Sequence, residues 1–431
     1  MDAFRSPYCV TDRLQPRVTA FGLTFLIVLG ASTALRLWLG ARHIAHVQTH
    51  REAVPPQFAS DVTLEAHQRA ADYTSAKTRL GLASVVIDTA LVLWLTFGGG
   101  VQMMYETAAQ WFEGEIARGL VLIALVAIVT TLVELPLGLY RTFRVEERFG
   151  FNKMTPALYW IDLVKNAALA AAFGLPLAAC VLWLMEAAGE YWWLYAWLVW
   201  VVFNLFVLAI YPTWIAPLFN RFSPMSDPEL RERVEKLLQR CGFKVKGLLV
   251  MDGSRRSSHG NAYFTGFGNS KRIVFFDTLL TRLTPPEVEA VLAHELGHFR
   301  LRHVVKRIAW IFAASLAFLW LLDFVMGQDW FYAGVNVEAR SIAVALVLFF
   351  LILPSFTFLL QPLFSSYSRK HEFEADSYAA QNASANDLVS ALVKLYKDNA
   401  STLTPDPVHS AFYDSHPPAL IRIAKLQRSS A

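Results

Sequence analysis

Seven blocks of apolar residues, each close to the length that crosses a bilayer, dominate the hydrophobic pattern of this 431-residue chain. They run from Val18 to Leu39, Leu82 to Met104, Leu120 to Tyr140, Ala167 to Met185, Trp192 to Tyr211, Ile308 to Met326 and Ile342 to Leu360. A membrane-spanning helix needs about 20 such residues. Trp192, Trp193, Trp197, Trp310, Trp320 and Trp330 gather near block ends, as aromatic rings do at the membrane interface. The pattern predicts a mainly α, polytopic protein embedded in a lipid bilayer. Asp88 and Glu134 fall inside blocks, where a charge is costly unless it faces another helix or water, so they hint at an aqueous interior.

Two stretches break this pattern. From about Asn220 to Arg307 the composition is water-compatible. Asp227 and Pro228 predict a helix start, Leu230, Val234, Leu237 and Leu238 its apolar face, and Gly242 its end. Gly247 to Met251, Asn261 to Gly266 and Arg272 to Phe276 predict three strands, the last two joined through Gly268-Asn269-Ser270. Thr284-Pro285-Pro286-Glu287 has the residues of a capping box, which starts a helix with Val288, Val291 and Leu292 as its buried stripe. Beyond the last block, Leu388, Ala391, Leu392 and Leu395 mark an amphipathic helix. The expected organisation is five spans in residues 1–219, the first part of a small α+β domain in 220–307, two spans in 308–366 and the rest of that domain in 367–431.

Hydrophobic residues make up 55% of the chain and charged residues 17%, which excludes a soluble globular protein. Arg42, Arg51, Arg69, Lys77 and Arg79 follow the first block, and Arg141, Arg144, Arg148 and Lys153 follow the third; the alternate loops are nearly bare. The positive-inside rule then puts the amino terminus outside and the polar domain in the cytoplasm, with Arg5, Arg13 and Arg17 running against it. The first block is too long, and lacks the small-residue site, for a cleavable signal peptide. A net charge of +4 is accounted for by this topology, so no nucleic-acid partner is expected. Cys9, Cys180 and Cys241 are too scattered for a disulfide or metal framework.

The chemistry lies in His294-Glu295-Leu296-Gly297-His298. On a helix the two imidazoles sit one turn apart and reach one zinc ion, with Glu295 beside the place of a bound water as general base. A hydrolytic site takes three protein ligands and leaves a fourth position for water. The third should come from Ser368 to Asp376. Glu372 and Asp376 share a helical face, so one can bind the metal while the other holds a liganding histidine or donates a proton. From spacing alone His371 and Glu374 compete for the ligand role. The strands before the zinc helix offer an edge to which an extended peptide could add, with Asn261 placed to hold its backbone. His416, in Ser415-His416-Pro417-Pro418, could face the oxyanion formed when water attacks an amide.

These residues resemble a known family. Asn261-Ala262-Tyr263-Phe264, Arg272 to Leu280 around Phe276-Asp277-Thr278, His294 to His298, Ser368-Arg369 leading to Glu372 and Ala375-Asp376, and Ser415 to Pro418 with Arg422 are similar to the type I CAAX prenyl proteases, the a-factor-converting zinc endopeptidases. Arg148 to Lys153 resembles the family's loop after the third span. The resemblance implies seven transmembrane helices enclosing a water-filled chamber, with a zinc domain closing its cytoplasmic end. It implies one zinc ion on His294, His298 and Glu372, Asp376 as a catalytic proton donor beyond the ligands, Asn261 by the substrate, and His416 and Arg422 lining the site. The family removes the last three residues of prenylated C-a-a-X proteins. Compact loops point to a bacterial inner membrane, or the endoplasmic reticulum if the source is eukaryotic, and a bacterial host opens the alternative of unprenylated membrane substrates and a quality-control role. A channel or transporter with a structural zinc is the alternative of another class; it would need a fourth protein ligand.

Overall fold

The computed structural model describes residues 19–265 and 272–429. Val18, Arg5, Arg13, Arg17, Cys9, Gly266 and the Gly268-Asn269-Ser270 connection lie outside them. Each predicted span is a helix: α1 Ala20–Thr49, α2 Leu64–Leu95, then after a short α3 (Gly100–Trp111), α4 Glu115–Glu146, α5 Pro156–Ala187 and α6 Gly189–Phe219. Following the polar segment come α9 His303–Met326 and Ile342–Asn382, which a 3-10 turn at Phe358–Leu360 divides into α10 (Ile342–Thr357) and α11 (Gln361–Asn382).

Helices run past their apolar blocks, α1 to Thr49 and α2 back to Leu64, and at two boundaries the block itself was misplaced. The second block was expected to run to Met104, but α2 stops at Leu95 and the chain turns through Gly98 and Gly99, whose φ of 76° favours a residue without a Cβ. The fourth span begins at Pro156, capped by Thr155, rather than at Ala167. Both errors arise because hydropathy averages over caps and turns.

Neighbouring spans touch in sequence, α1 to α2, α2 to α4, and on through α5, α6 and α9 to α10, which returns to α1. Dense packing is confined to the ring end away from the polar domain, where Phe25, Leu95, Leu122, Leu182, Leu322 and Val344 share one core. Tyr73, Val145, Phe149, Phe151 and Ala400 form a small core at the opposite end. In between, only 6% of the apolar windows of α2, α4 and α6 is buried, so these helices form a thin wall rather than part of a filled core. Glu134 is exposed on this wall, and Asp88 accepts a hydrogen bond from Ser84 at 3.2 Å.

The polar domain is built where its sequence signals lie. Helix α7 (Pro228–Arg240) starts at Asp227, whose carboxylate accepts from the amides of Glu229 and Leu230, and its four predicted apolar residues are all buried. The sheet has one strand more than expected. Strand β1 (Phe222–Pro224) pairs antiparallel with β2 (Gly247–Met251), β2 runs parallel to β4 (Arg272–Phe276), and β3 (Ala262–Thr265) pairs antiparallel with β4 at the edge. Helix α8 (Pro285–Arg300) follows, then, after the last two spans, α12 (Ala385–Asp398) and α13 (Ala419–Ser429). Leu237, Phe275, Leu292, Leu296, Leu388 and Leu426 form one core, so segments separated by α9 and α10 fold as one unit. Val288 and Leu292 are buried as predicted, whereas Val291 is partly exposed and lines a cleft.

The capping box at α8 also ties the two parts together. The Glu287 carboxylate accepts from the Thr284 amide at 2.8 Å and from Ser390 Oγ at 2.6 Å, and pairs with Lys394 Nζ at 2.7 Å. Burial alone would raise the Glu287 pKa, but Lys394, Ser390 and Thr284 together hold it below 4.5. A depressed carboxylate adds stability above its unfolded pKa and loses it as pH falls through the folded one. Glu287→Gln is therefore expected to cost about 1 kcal/mol at pH 7. The deficit should shrink as the pH falls below 4.5 and vanish once it has passed the lower folded pKa, as read by thermal unfolding of the purified protein across that range.

Candidate metal centre and active site

Helix α8 carries His294 and His298 on the side facing α11. Gly297 lets the two helices meet: a Cβ there would lie 3.0 Å from the Ala375 Cα and 3.1 Å from the Tyr378 Cβ. Across this contact His294 Nε2 and His298 Nε2 are 3.2 Å apart. Each lies 3.4 Å from a different Glu372 oxygen. A tetrahedral ion with bonds of about 2.0–2.1 Å has donor atoms about 3.3 Å from one another. The two imidazoles and the Glu372 carboxylate, with one ligand atom of each within 4.8 Å of the others, are thus close enough to share one ion as a donor triangle. Glu372 Oε2 is buried without a hydrogen-bond partner, as a metal ligand awaiting its ion would be. No fourth His, Cys, Asp or Glu joins this group among the described residues.

The other side of each ring is also engaged. His294 Nδ1 is 2.9 Å from Asp376 Oδ1, and Asp376 is held by Arg422 through two bonds, Nε to Oδ2 at 2.9 Å and Nη2 to Oδ1 at 2.6 Å. Asp376 and Arg422 are both buried. Burial works against a charge on His294, yet Asp376 and Glu372 outweigh it and lift the pKa to about 9. Desolvation is also the main influence on Glu295, raising its pKa against the pull of His294 and His298.

A cavity of about 660 Å³ opens onto His294 and Glu295, with Asn261, His416 and Arg422 in its walls. It meets a second cavity of about 750 Å³ at Lys77, Gly260 and Asn261, making one cleft from the metal site to α6. His416 Nε2 lies 3.4 Å from Glu372 Oε1, with its ring exposed to the cleft and its Nδ1 3.0 Å from Ser415 Oγ. Asn261 leads into edge strand β3, and its side chain accepts from the Ala262 amide at 2.8 Å. That strand lies beside α8, where Phe264 packs on Phe299 at 4.8 Å between ring centroids. Of the eight residues singled out from the sequence, Asn261, His294, Glu295, His416 and Arg422 line the cleft, and His298, Glu372 and Asp376 lie behind it against His294.

Of the rivals for third ligand, His371 and Glu374 turn away from the triangle, toward His303. Helical phase separates them: residues 372 and 376 share one face, 371 and 374 another. Sequence reasoning did not single out Tyr396, which lines the cleft from α12. It also passed over His303, five residues beyond His298; only that spacing could have flagged it.

A membrane-embedded ring closed by a domain with this triangle and cleft defines an integral-membrane metallopeptidase. Known proteins agree. Residues 43–221 match the CAAX prenyl protease N-terminal domain of five membrane helices, and residues 224–430 match peptidase family M48. The chain belongs to the CAAX prenyl protease 1 family. It is 31% identical over 436 residues to the Homo sapiens CAAX prenyl protease 1 homolog, covering 90% of each chain. It is 31% identical to CAAX prenyl protease 1 of Saccharomyces cerevisiae, over 86% of this chain and 88% of that one. The crystal structure of S. mikatae Ste24p superposes with a TM-score of 0.88 at 31% identity, covering 96% of this chain and 100% of that one.

Proposed function

We propose that the chain hydrolyses peptide bonds at one zinc ion held by His294, His298 and Glu372. The observation that supports this is the pair of imidazole nitrogens 3.2 Å apart, each 3.4 Å from an oxygen of the Glu372 carboxylate. Zinc, when bound, supplies a Lewis acid and lowers the pKa of a coordinated water toward about 7. Glu295 takes the proton of that water and returns it to the leaving amine. His416 donates to the carbonyl oxygen as charge develops on it. Asn261 and the free edge of β3 align the substrate main chain. Asp376 accepts the His294 Nδ1 hydrogen and is itself oriented by Arg422; with both oxygens committed, it serves the ligand's geometry rather than carrying the proton.

The substrate is a peptide or protein with a prenylated C-terminal Cys, from which the last three residues are removed; the similarity to CAAX prenyl protease 1 of Homo sapiens and Saccharomyces cerevisiae supports this. The domain faces the cytoplasm, since the basic junction of α1 and α2 and the polar domain share one side of the ring: Arg42, near the end of α1, pairs with Asp406 at 2.9 Å. Compact loops favour a bacterial inner membrane over the endoplasmic reticulum. The test is cleavage of a farnesylated peptide and its unmodified twin by purified protein, with and without a zinc chelator. Chelator-sensitive cleavage that prefers the farnesylated peptide is expected. Equal rates on both would replace the prenyl-directed reading with a general membrane quality-control protease, and chelator-resistant cleavage would overturn the zinc reading.

A further inference from the structure

With Nε2 of His298 committed to the donor triangle, its ring hydrogen sits on Nδ1 and needs an acceptor. The partner is His303 Nδ1, 3.0 Å away. His303 opens α9 and is 4% exposed, so it has no water to fall back on. For its Nδ1 to accept, its own hydrogen must be on Nε2, which lies 2.9 Å from Glu374 Oε2. His371 lies flat against the ring, with centroids 3.9 Å apart and planes at 7°. The backbone makes this arrangement at a cost. Arg302, between α8 and α9, takes a left-handed φ of 57°, unusual for a residue with a Cβ, and the turn folds His303 back onto His298.

We propose that His303 is a positioning residue for His298: a neutral imidazole, its tautomer set by Glu374, that accepts the His298 Nδ1 hydrogen and aims Nε2 at the metal. The inference rests on the zinc reading above. It gives each imidazole ligand its own support, Asp376 with Arg422 for His294 and His303 with Glu374 for His298. His303, His371 and Glu374 also lie close enough to hold a second cation. The stacking argues against it. A ring nitrogen binds through a lone pair in the ring plane, and two parallel rings 3.9 Å apart share no plane. A cation on His303 Nε2 would also drive the hydrogen onto Nδ1, facing the His298 hydrogen.

Two amide substitutions separate these ideas. Asn carries its amide near the place of Nδ1 and can accept from His298; Gln carries it near Nε2, keeps the contact with Glu374 and cannot. Zinc affinity is read by chelator competition on the full-length purified proteins, with unfolding midpoints as a folding control. His303→Asn is expected to stay within about threefold of the wild type, and His303→Gln to bind roughly 10- to 100-fold more weakly. Equal affinities in the two variants, whether strong or weak, would overturn the positioning role. So would a second zinc equivalent in the wild type that disappears in Glu374→Gln. A wild type that binds no zinc would instead defeat the metal reading itself.

Discussion

Glu295→Gln is expected to abolish peptide cleavage while leaving the zinc content unchanged. The amide is the size of the carboxylate, and the donor triangle does not include residue 295, so the ion should stay. Gln cannot take a proton from water. A positioned general base contributes about 10²- to 10⁴-fold, and that is the expected fall in kcat. Wild-type activity should also fall on the acid side as Glu295 takes up a proton, because the protonated acid cannot act as base. A fluorogenic peptide assay beside metal analysis checks both parts. A Gln variant that cleaves at the wild-type rate would remove Glu295 from the mechanism.

The second large effect is expected at Gly297. Replacing an interior helix glycine with Ala ordinarily stabilises by about 1 kcal/mol. Here the added Cβ would meet the Ala375 Cα at 3.0 Å and the Ala375 carbonyl oxygen at 3.2 Å, backbone atoms that cannot rotate aside. The helices must part, and the donor atoms part with them. Overpacking of this kind costs about 1–3 kcal/mol. Borne by the metal triangle, it is roughly a 10- to 100-fold loss of zinc affinity. Gly297→Val should lose more than Gly297→Ala in both zinc affinity and unfolding midpoint. An Ala variant that binds zinc normally and melts higher would show that α8 and α11 have room to spare.

Much of this was legible because the governing signals are local. The capping box at Thr284, the proline behind Asp227 and the apolar blocks each act within a turn or two of helix, where sequence and structure are tightly coupled. Strand β1 was missed because three residues ending in Pro224 show no alternation; β2 and the packing below it stabilise the strand. The overrun of the second block past Gly99 has a similar cause, since hydropathy does not register a turn made of small apolar residues. Spacing left His371, Glu372 and Glu374 open as ligands because their distinction depends on which face of α11 meets α8, a tertiary fact set largely at Gly297. The support of His298 by His303 lay further out of reach, for it depends on an unusual backbone angle at Arg302.

The donor triangle is split along the chain: two corners lie on α8, the third on α11, and the stretch between crosses the membrane twice. A newly made polypeptide thus carries His294 and His298 at first without their third corner. Only after both later crossings are inserted, and the helix bearing Arg422 has been translated, do the pieces come together. Arming is thereby coupled to completed biogenesis, and a protease whose nearest peptide bonds during assembly are its own is spared from self-digestion.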